Sequence, residues 1–135
     1  MRDPDPELLA AAREAHLQAY CPYSHYRVGA AIRTGSGAVV VGCNVENAAY
    51  PLGSCAEAGA IAAMVADGER SIAEIVVVTD GDQPGTPCGG CRQRIREFAG
   101  PDVPVHSVAA SGATWSTTVG ELLPHSFGPE FLDVD

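Results

Sequence analysis

The sequence predicts a single α/β domain in which helices cover a sheet. Apolar residues at helical spacing alternate with short β-branched runs, and residues 55–109 give the order helix, strand, helix, strand. Such alternation implies parallel crossover connections between strands. Because 135 residues are enough for one packed core and too few for two ordinary domains, residues 1–135 are expected to form one domain.

The amino-terminal half is expected to contain a helix, a hairpin, a loop and a second helix. Alanine and leucine recur at three- and four-residue steps in residues 7–19, as an amphipathic helix requires. The apolar runs 28–33 and 38–44 flank a Gly-Ser-Gly turn and predict the two strands of a hairpin. Residues 44–54 are rich in Asn, Pro and Gly and predict a loop, whereas residues 55–66 are apolar almost throughout and predict a helix of the interior.

The carboxyl-terminal half is expected to add a helix and three strands. Residues 75–79 are all β-branched and predict a strand that is buried on both faces. Residues 88–98 predict a helix that stops at Gly100-Pro101. Residues 103–109 and 114–119 flank a glycine-containing turn and supply two more strand candidates.

The charge balance favours a small uncharged substrate over nucleic acid. Eight Lys and Arg residues against 17 Asp and Glu give a net charge of −9, which would repel a phosphate backbone unless basic residues were concentrated on one face. The densest basic group, Arg92, Arg94 and Arg96, is instead spread around a predicted helix. No apolar stretch approaches the roughly 18 to 20 residues of a membrane helix, and the first residues lack a signal-peptide pattern. A cytoplasmic location with no membrane partner is therefore expected.

Three of the five cysteines form a pattern typical of metal binding. Without a secretion signal, an odd number of cysteines favours metal binding or catalysis over disulfides. Cys88-Gly89-Gly90-Cys91 places two thiols close enough to share an ion, although a redox pair, half of a structural zinc site and coincidence stay open on this motif alone. Cys55 begins the preceding predicted helix, one crossover earlier. Two helix amino termini can therefore meet at the carboxyl ends of neighbouring strands, where their dipoles are expected to lower the pKa of Cys55 and Cys88.

The three cysteines are expected to hold Zn²⁺ and to leave one coordination position open. Zinc prefers thiolate ligands, and a structural site would be closed by four protein ligands. No residue has suitable spacing for the fourth position among the remaining cysteines and histidines, Cys21, Cys43, His16, His25, His106 and His125. We interpret these two cysteines as buried apolar thiols and the histidines as surface or hydrogen-bonded residues. An open position is the catalytic arrangement, because zinc lowers the pKa of a bound water toward ~7.

Glu57 is the candidate proton carrier for such a water. It follows Cys55 by two residues, so its carboxylate can reach the open position and accept a proton. The alternative interpretation is a helix-start carboxylate that the helix dipole favours. Beside an open zinc site with three thiolates, we favour proton transfer.

These motifs give the chain a family resemblance. Cys55-Ala56-Glu57 followed by Pro87-Cys88-Gly89-Gly90-Cys91 matches the signature of zinc deaminases. Together with residues 21–31, 42–50 and 121–129, these motifs make nearly the whole chain resemble the small homotetrameric cytidine deaminases. The resemblance implies a three-layer α/β/α sandwich around a five-stranded mixed sheet. It also implies hydrolytic deamination of cytidine and 2′-deoxycytidine in pyrimidine salvage, with attack at C4 and protonation of N3 and the leaving amine by Glu57.

The resemblance also assigns contacts with a nucleoside substrate. Asn44 and Glu46 correspond to the pair that hydrogen-bonds the ribose hydroxyl. The backbone amide of Ala56 and the carbonyl of Thr86 correspond to groups that contact the pyrimidine. Tyr26 stands where the family usually has a stacking phenylalanine.

Two aromatic residues resemble groups that a neighbouring subunit inserts into the active site. These residues are Phe127 and Tyr50. If the resemblance extends to them, the homotetramer shares its active sites between subunits, and catalysis depends on assembly.

The chain departs from the family pattern directly after Cys55-Ala56-Glu57. Many relatives have Arg-Thr there, and the arginine partly neutralises the zinc thiolates, whereas this chain has Ala58 and Gly59. Without a cation, excess negative charge should make the zinc a poorer Lewis acid. Arg92, just after Cys91, is the candidate replacement.

Three alternatives to cytidine deamination stay open. Blasticidin S deaminases have a similar zinc motif, but Asn44-Val45-Glu46-Asn47 favours a nucleoside substrate. Polynucleotide editing enzymes use related chemistry, but the acidic balance counts against a nucleic-acid partner. A non-catalytic zinc module would need a fourth protein ligand.

Overall fold

Five strands form one mixed sheet in the computed structural model, which describes residues 2–132. In chain order the strands are β1 (Val28–Thr34), β2 (Val39–Cys43), β3 (Ile72–Thr79), β4 (Pro104–Ala109) and β5 (Thr114–Thr118). They lie in the order β2-β1-β3-β4-β5. β3 and β4 pair in parallel, and the other neighbouring strands pair antiparallel. A mixed sheet of five strands is the architecture that the family resemblance implied.

Four helices connect or flank these strands. They are α1 (Pro6–Leu17), α2 (Ala56–Ala66), α3 (Gly89–Phe98) and α4 (Val119–Leu122), and single 3₁₀ turns lie at Tyr50–Leu52 and Pro129–Phe131. α1 begins where the Asp5 side chain accepts a hydrogen bond of 3.0 Å from the Leu8 amide, which satisfies one of the free N–H groups of the first turn. None of the helices in residues 2–132 is long and apolar enough to span a membrane.

The helices cover the two faces of the sheet, as the α/β/α prediction requires. Successive side chains of β3 point to opposite faces, so Val76 and Val78 lie in the cluster with α1, whereas Ile75 and Val77 lie in the cluster with α2 and α3. Leu8 of α1 is fully buried against the first face. The site described below is built by the two helices of the second face.

Two glycines allow helices to lie directly on the sheet. A side chain at Gly29 of β1 would place its Cβ 2.6 Å from the Cα of His16 in α1. A side chain at Gly42 of β2 would place its Cβ 2.5 Å from the Ala56 carbonyl oxygen in α2. Real Cβ atoms essentially never approach so closely, so the backbone of each helix occupies the space that a larger residue would need.

Two sequence-based predictions about these elements were wrong. β2 and β3 run parallel but are separated by β1, so the helices that carry the cysteines follow strands that are not neighbours. α2 was expected to be buried on all sides, yet Ala62 and Ala66 are exposed in the single chain. β3 is buried on both faces as predicted, and it begins at Ile72, three residues before the expected start.

Candidate active site

Three cysteine sulfurs meet where α2 and α3 begin. Cys55 is the residue that caps α2, Cys88 caps α3, and Cys91 lies in the first turn of α3. Their Sγ atoms all lie within 4.8 Å of one another. The two helices pack against the same face of the sheet with their amino termini at the same end, which brings the cysteines together although β1 separates the preceding strands.

The sulfur cluster fits a zinc ion with an open position. Zn–S bonds of ~2.3 Å in tetrahedral geometry separate two sulfurs by roughly 3.8 Å, so small side-chain rotations would close the site around an ion. Within residues 2–132, no fourth histidine, cysteine or carboxylate joins this cluster. A three-ligand site leaves one position for water or substrate, which is the catalytic form of a zinc site.

The remaining cysteines and histidines lie elsewhere. His16 Nε2 lies 2.8 Å from the Asp80 carboxylate, and His106 Nδ1 lies 2.7 Å from the Ser116 hydroxyl. His25 and His125 are exposed, so all four histidines are surface or hydrogen-bonded residues, as predicted. Cys21 and Cys43 were expected to be buried and are half-buried instead.

The thiols of the two N-cap residues have pKa values shifted in opposite directions. The backbone amide of Cys91 donates a hydrogen bond that holds the pKa of Cys88 below its ordinary value. Burial, together with neighbouring negative charge, raises the pKa of Cys55 above its ordinary value, so the prediction of a lowered pKa holds for Cys88 and was wrong for Cys55. Burial also raises the pKa of Cys91. A bound Zn²⁺ removes the thiol proton of a coordinating cysteine outright, so these sulfurs remain suitable ligands.

Glu57 lies beside the sulfurs in the first turn of α2. Its side chain is buried, with the residue only 4% exposed, although it carries an ionisable carboxyl group. Burial raises the pKa of Glu57 above its ordinary value. A carboxylate with a raised pKa exchanges protons closer to neutral pH, which is the property a proton carrier needs.

A cavity of about 330 Å³ opens above the cysteines and Glu57. Six of the residues predicted to contact substrate line it: Tyr26, Asn44, Glu46, Tyr50, Ala56 and Thr86. A volume of this size falls within the range of small-molecule sites. The structure therefore gathers these residues, Glu57 and two of the cysteines around a single opening.

Hydrogen bonds to the backbone of Val28 and Tyr26 hold the Asn44 side chain in the cavity wall. Its side-chain oxygen accepts a hydrogen bond of 2.9 Å from the Val28 amide, and its side-chain nitrogen donates one of 2.9 Å to the Tyr26 carbonyl. One N–H of the amide group remains available to a ligand. The same side chain therefore positions Tyr26 and offers a donor to the cavity.

Glu46 is anchored through one of its two oxygens. Oε1 accepts hydrogen bonds from the backbone amides of Tyr23 at 3.0 Å and Ser24 at 3.1 Å. Hydrogen bonding with Ser24 holds the pKa of Glu46 below its ordinary value. Glu46 is thus an oriented carboxylate whose second oxygen can accept a hydrogen bond from a ligand hydroxyl.

Asp80 supports the cavity although the sequence did not single it out. It follows β3, and its carboxylate accepts a hydrogen bond of 2.9 Å from the Arg27 amide and one of 3.1 Å from the Arg27 guanidinium. The contact with His16 joins the same carboxylate to α1. Its partners Arg27 and His16 lie far away in the chain, so no local sequence pattern indicates these contacts.

Arg92 does not take the position that the sequence suggested. Its guanidinium donates to the Pro87 carbonyl at 2.8 Å and to the Thr86 hydroxyl at 3.2 Å, so it braces the loop before α3 instead of contacting a cysteine. Among the described residues, the guanidinium that reaches a ligand sulfur belongs to Arg94, with Nη1 3.9 Å from the Cys91 Sγ.

The two aromatic residues assigned to a neighbouring subunit are exposed in the single chain. Phe127 is 56% exposed, stacks on Phe131 with ring centroids 5.4 Å apart, and lies outside the cavity of its own chain. Tyr50 is 73% exposed, packs on Tyr23 at 5.6 Å, and lines that cavity. Whether a neighbour supplies either ring stays a prediction.

Comparison with known proteins identifies the family. Residues 2–107 match the model of the cytidine and deoxycytidylate deaminase zinc-binding region. The chain belongs to this family. A cytidine deaminase from Sporosarcina psychrophila is 44% identical over 126 residues, which are 93% of each chain, and one from Mycobacterium tuberculosis is 37% identical over 134 residues, 98% of this chain and 96% of the other. The crystal structure of cytidine deaminase from Burkholderia pseudomallei superimposes with a TM-score of 0.87 at 42% identity, covering 93% of this chain and all of that one.

The comparisons confirm the resemblance and the fold predicted from the sequence. The family model describes a zinc-binding region, and the three clustered sulfurs of this deaminase-family chain are suited to that metal. Zinc is therefore the cofactor of this fold.

Proposed function

We propose that this chain catalyses the zinc-dependent hydrolytic deamination of cytidine and 2′-deoxycytidine. The observation that carries the proposal is a three-sulfur site with an open position beside a buried glutamate, at the base of a cavity of nucleoside size. The products are uridine or 2′-deoxyuridine and ammonia, so the reaction consumes one water and breaks the bond from C4 to the exocyclic nitrogen. A role in pyrimidine salvage follows from these products.

Cys55, Cys88 and Cys91 would hold the zinc, which supplies water acidic enough to act as a nucleophile near neutral pH. Glu57 is the proton carrier. Its carboxylate accepts one proton of the attacking water and delivers it to N3 of the pyrimidine. It then takes the second proton from the hydroxyl added at C4 and delivers it to the leaving amine, so that the C4 carbonyl forms as ammonia departs. Its burial keeps bulk water from competing for that proton and keeps its pKa raised.

The cavity wall would recognise both halves of a nucleoside. The free oxygen of Glu46 accepts a hydrogen bond from a ribose hydroxyl, and the remaining N–H of Asn44 donates to the same group. The Ala56 amide and the Thr86 carbonyl contact the pyrimidine edge, and Tyr26 supplies an aromatic face for stacking.

The charge of the cavity favours nucleosides over phosphorylated substrates. Its lining among the described residues includes Glu46 and Glu57 but no arginine or lysine. A phosphate group carried into this cavity would meet carboxylates without a compensating cation. The chain as a whole has a net charge of −9, which also opposes binding of a polynucleotide.

A homotetramer with shared active sites is part of the same proposal. Exposed aromatic and aliphatic side chains cluster near the carboxyl terminus, including Phe127, Phe131 and Leu132. The exposed side of α2 is also apolar, with Ala62 and Ala66 uncovered in the single chain. Burial of both surfaces between subunits would remove apolar area from water. A cytoplasmic location fits the requirement that the cysteine ligands stay reduced.

Ammonia release from a panel of aminopyrimidines tests the proposed function. Purified zinc-loaded protein should deaminate cytidine and 2′-deoxycytidine and should act far more weakly on deoxycytidylate, blasticidin S and single-stranded DNA. The variant Glu57→Gln is nearly isosteric and should keep its zinc while losing deamination by a factor of about 10² to 10⁴. Near-normal turnover in a zinc-replete Glu57→Gln variant, or zinc binding without deamination of any panel member, would refute the assignment.

A further inference from the structure

The proposed zinc centre carries more negative charge than its metal can balance. Three thiolates around a divalent ion leave one negative charge in excess, and the carboxyl group of Glu57 lies next to them. The residue after Glu57 in α2 is Ala58, which brings no charge. A cation contributed by another element would offset the excess.

Arg94 lies against the site from α3. Its Nη1 atom is 3.9 Å from the Cys91 Sγ, and a Cβ atom added to Gly90 would lie 3.1 Å from the same nitrogen. Helical side chains lean toward the amino terminus of their helix, so a long side chain at position 94 reaches back over the first turn, where Cys91 lies. The absence of a side chain at Gly90 leaves room for the guanidinium there.

The two nearby arginines of α3 have other partners. Arg92 donates to the carbonyl of Pro87, and Arg96 pairs with Glu130. Arg94, by contrast, forms no ion pair with a carboxylate among residues 2–132. A cation over the first turn of a helix is also unfavourable toward the helix dipole, so an anion at that end is needed to hold it there.

We infer that Arg94 supplies the positive charge that offsets the excess negative charge of the zinc centre in this chain. The inference rests on the proposed zinc-dependent function. Arg94 is a positioning residue, because it touches a metal ligand and neither the substrate nor the reacting water. An arginine at position 58 would supply this charge from α2. In this chain Arg94 supplies it from α3.

Loss of the positive charge of Arg94 should weaken zinc binding. Three thiolates around Zn²⁺ give the loaded site a net charge of −1, so a neighbouring cation favours the loaded site. Removing the partner of a metal ligand typically costs 10- to 100-fold in metal affinity or activity. Because Arg94 is exposed and screened by solvent, we expect the lower end, about 10-fold.

Zinc competition against a chromophoric chelator tests this without any substrate. Arg94→Gln should weaken zinc binding about 10-fold at low ionic strength, and the difference should shrink as salt is added. Arg94→Lys keeps the charge and should retain most of the affinity. The matched control is Arg13→Gln, which removes the same charge from an exposed position on α1, on the other face of the sheet, and should leave zinc affinity unchanged.

A second experiment moves the positive charge from α3 to α2. Adding Ala58→Arg to the Arg94→Gln variant should restore much of the zinc affinity, because it places a cation on α2 one turn after Cys55. In the loaded protein, Arg94→Gln should lower kcat with little change in KM, since the cavity wall is untouched.

The inference fails if Arg94→Gln and Arg13→Gln bind zinc equally tightly. It also fails if Arg94→Lys loses as much affinity as Arg94→Gln. Both outcomes can be told apart from a failure of the proposed function. If zinc affinity depends on the charge at position 94 but the protein deaminates no substrate, the role of Arg94 is supported and the deaminase activity is refuted.

Discussion

Replacing Gly42 with alanine should push α2 away from the sheet and displace part of the zinc site. The added Cβ would lie 2.5 Å from the Ala56 carbonyl oxygen and 2.9 Å from the Gly59 carbonyl carbon, and it would also collide with the amide of Ala60. All three atoms belong to helix backbone and cannot rotate away. Ordinary contact begins at 3.4 Å, so α2 would have to move by roughly 0.9 Å.

Both stability and catalysis should respond to that movement. Overpacking of this kind lowers the free energy of unfolding by about 1–3 kcal/mol. Cys55 and Glu57 would move with α2, whereas Cys88 and Cys91 would stay with α3. Because a misplacement of about 1 Å in a catalytic site can cost about 10²-fold in rate, kcat should fall by a factor of that order.

Gly59→Ala is the matched control on the other side of the same contact. Its added Cβ would meet the Gly42 Cα at 3.7 Å, an ordinary van der Waals distance. Since alanine is a better helix former than glycine, this variant should be as stable as the original chain or more stable by up to about 1 kcal/mol. Urea unfolding, zinc content and the rate of ammonia release should be measured for both variants. Equal unfolding midpoints and equal kcat values for Gly42→Ala and Gly59→Ala would refute the close packing of α2 on β2.

Three further predictions concern the cavity and its supports. Glu46→Gln should raise KM for cytidine about 10-fold or more with zinc content unchanged, because a charge-assisted hydrogen bond to the ribose is lost. Asp80→Asn should lower the free energy of unfolding by about 1–3 kcal/mol at neutral pH. Although burial tends to raise the pKa of Asp80, hydrogen bonds from Arg27 hold it below its ordinary value, so this stabilisation is present above the unfolded pKa and is lost as pH falls through the folded pKa. Urea unfolding at neutral pH and at about pH 3 checks this, and an equal difference at both pH values would contradict it. Phe127→Ala should weaken activity, and mixing this variant with the Glu57→Gln variant should restore part of the activity. If the subunits are shown to exchange and no activity is recovered, Phe127 does not act in the active site of a neighbouring subunit.

The sequence by itself determined the features that depend on short stretches of chain. Cys88 and Cys91 are three residues apart at a helix start, and this spacing brings two sulfurs together whatever the rest of the fold does. Glu57 is two residues from Cys55 for the same reason. The β-branched run in β3 predicted a strand buried on both faces, because successive side chains point to opposite faces of any strand. Local spacing was also enough to indicate the family.

The tertiary structure decided everything that depends on contacts between distant residues. It placed β1 between β2 and β3. The hairpin pairs β1 with β2, and the chain then returns on the other side of β1 to form β3. It gave the contact with the Cys91 sulfur to Arg94, because the carbonyl of Pro87 and the hydroxyl of Thr86 already engage Arg92. It raised the pKa of Cys55, for which the sequence predicted a lower one, because burial outweighs the hydrogen bonding with Cys91 that lowers it. Strand order, competition for hydrogen-bond partners and desolvation all depend on which residues surround a group in space, and no spacing along the chain records that.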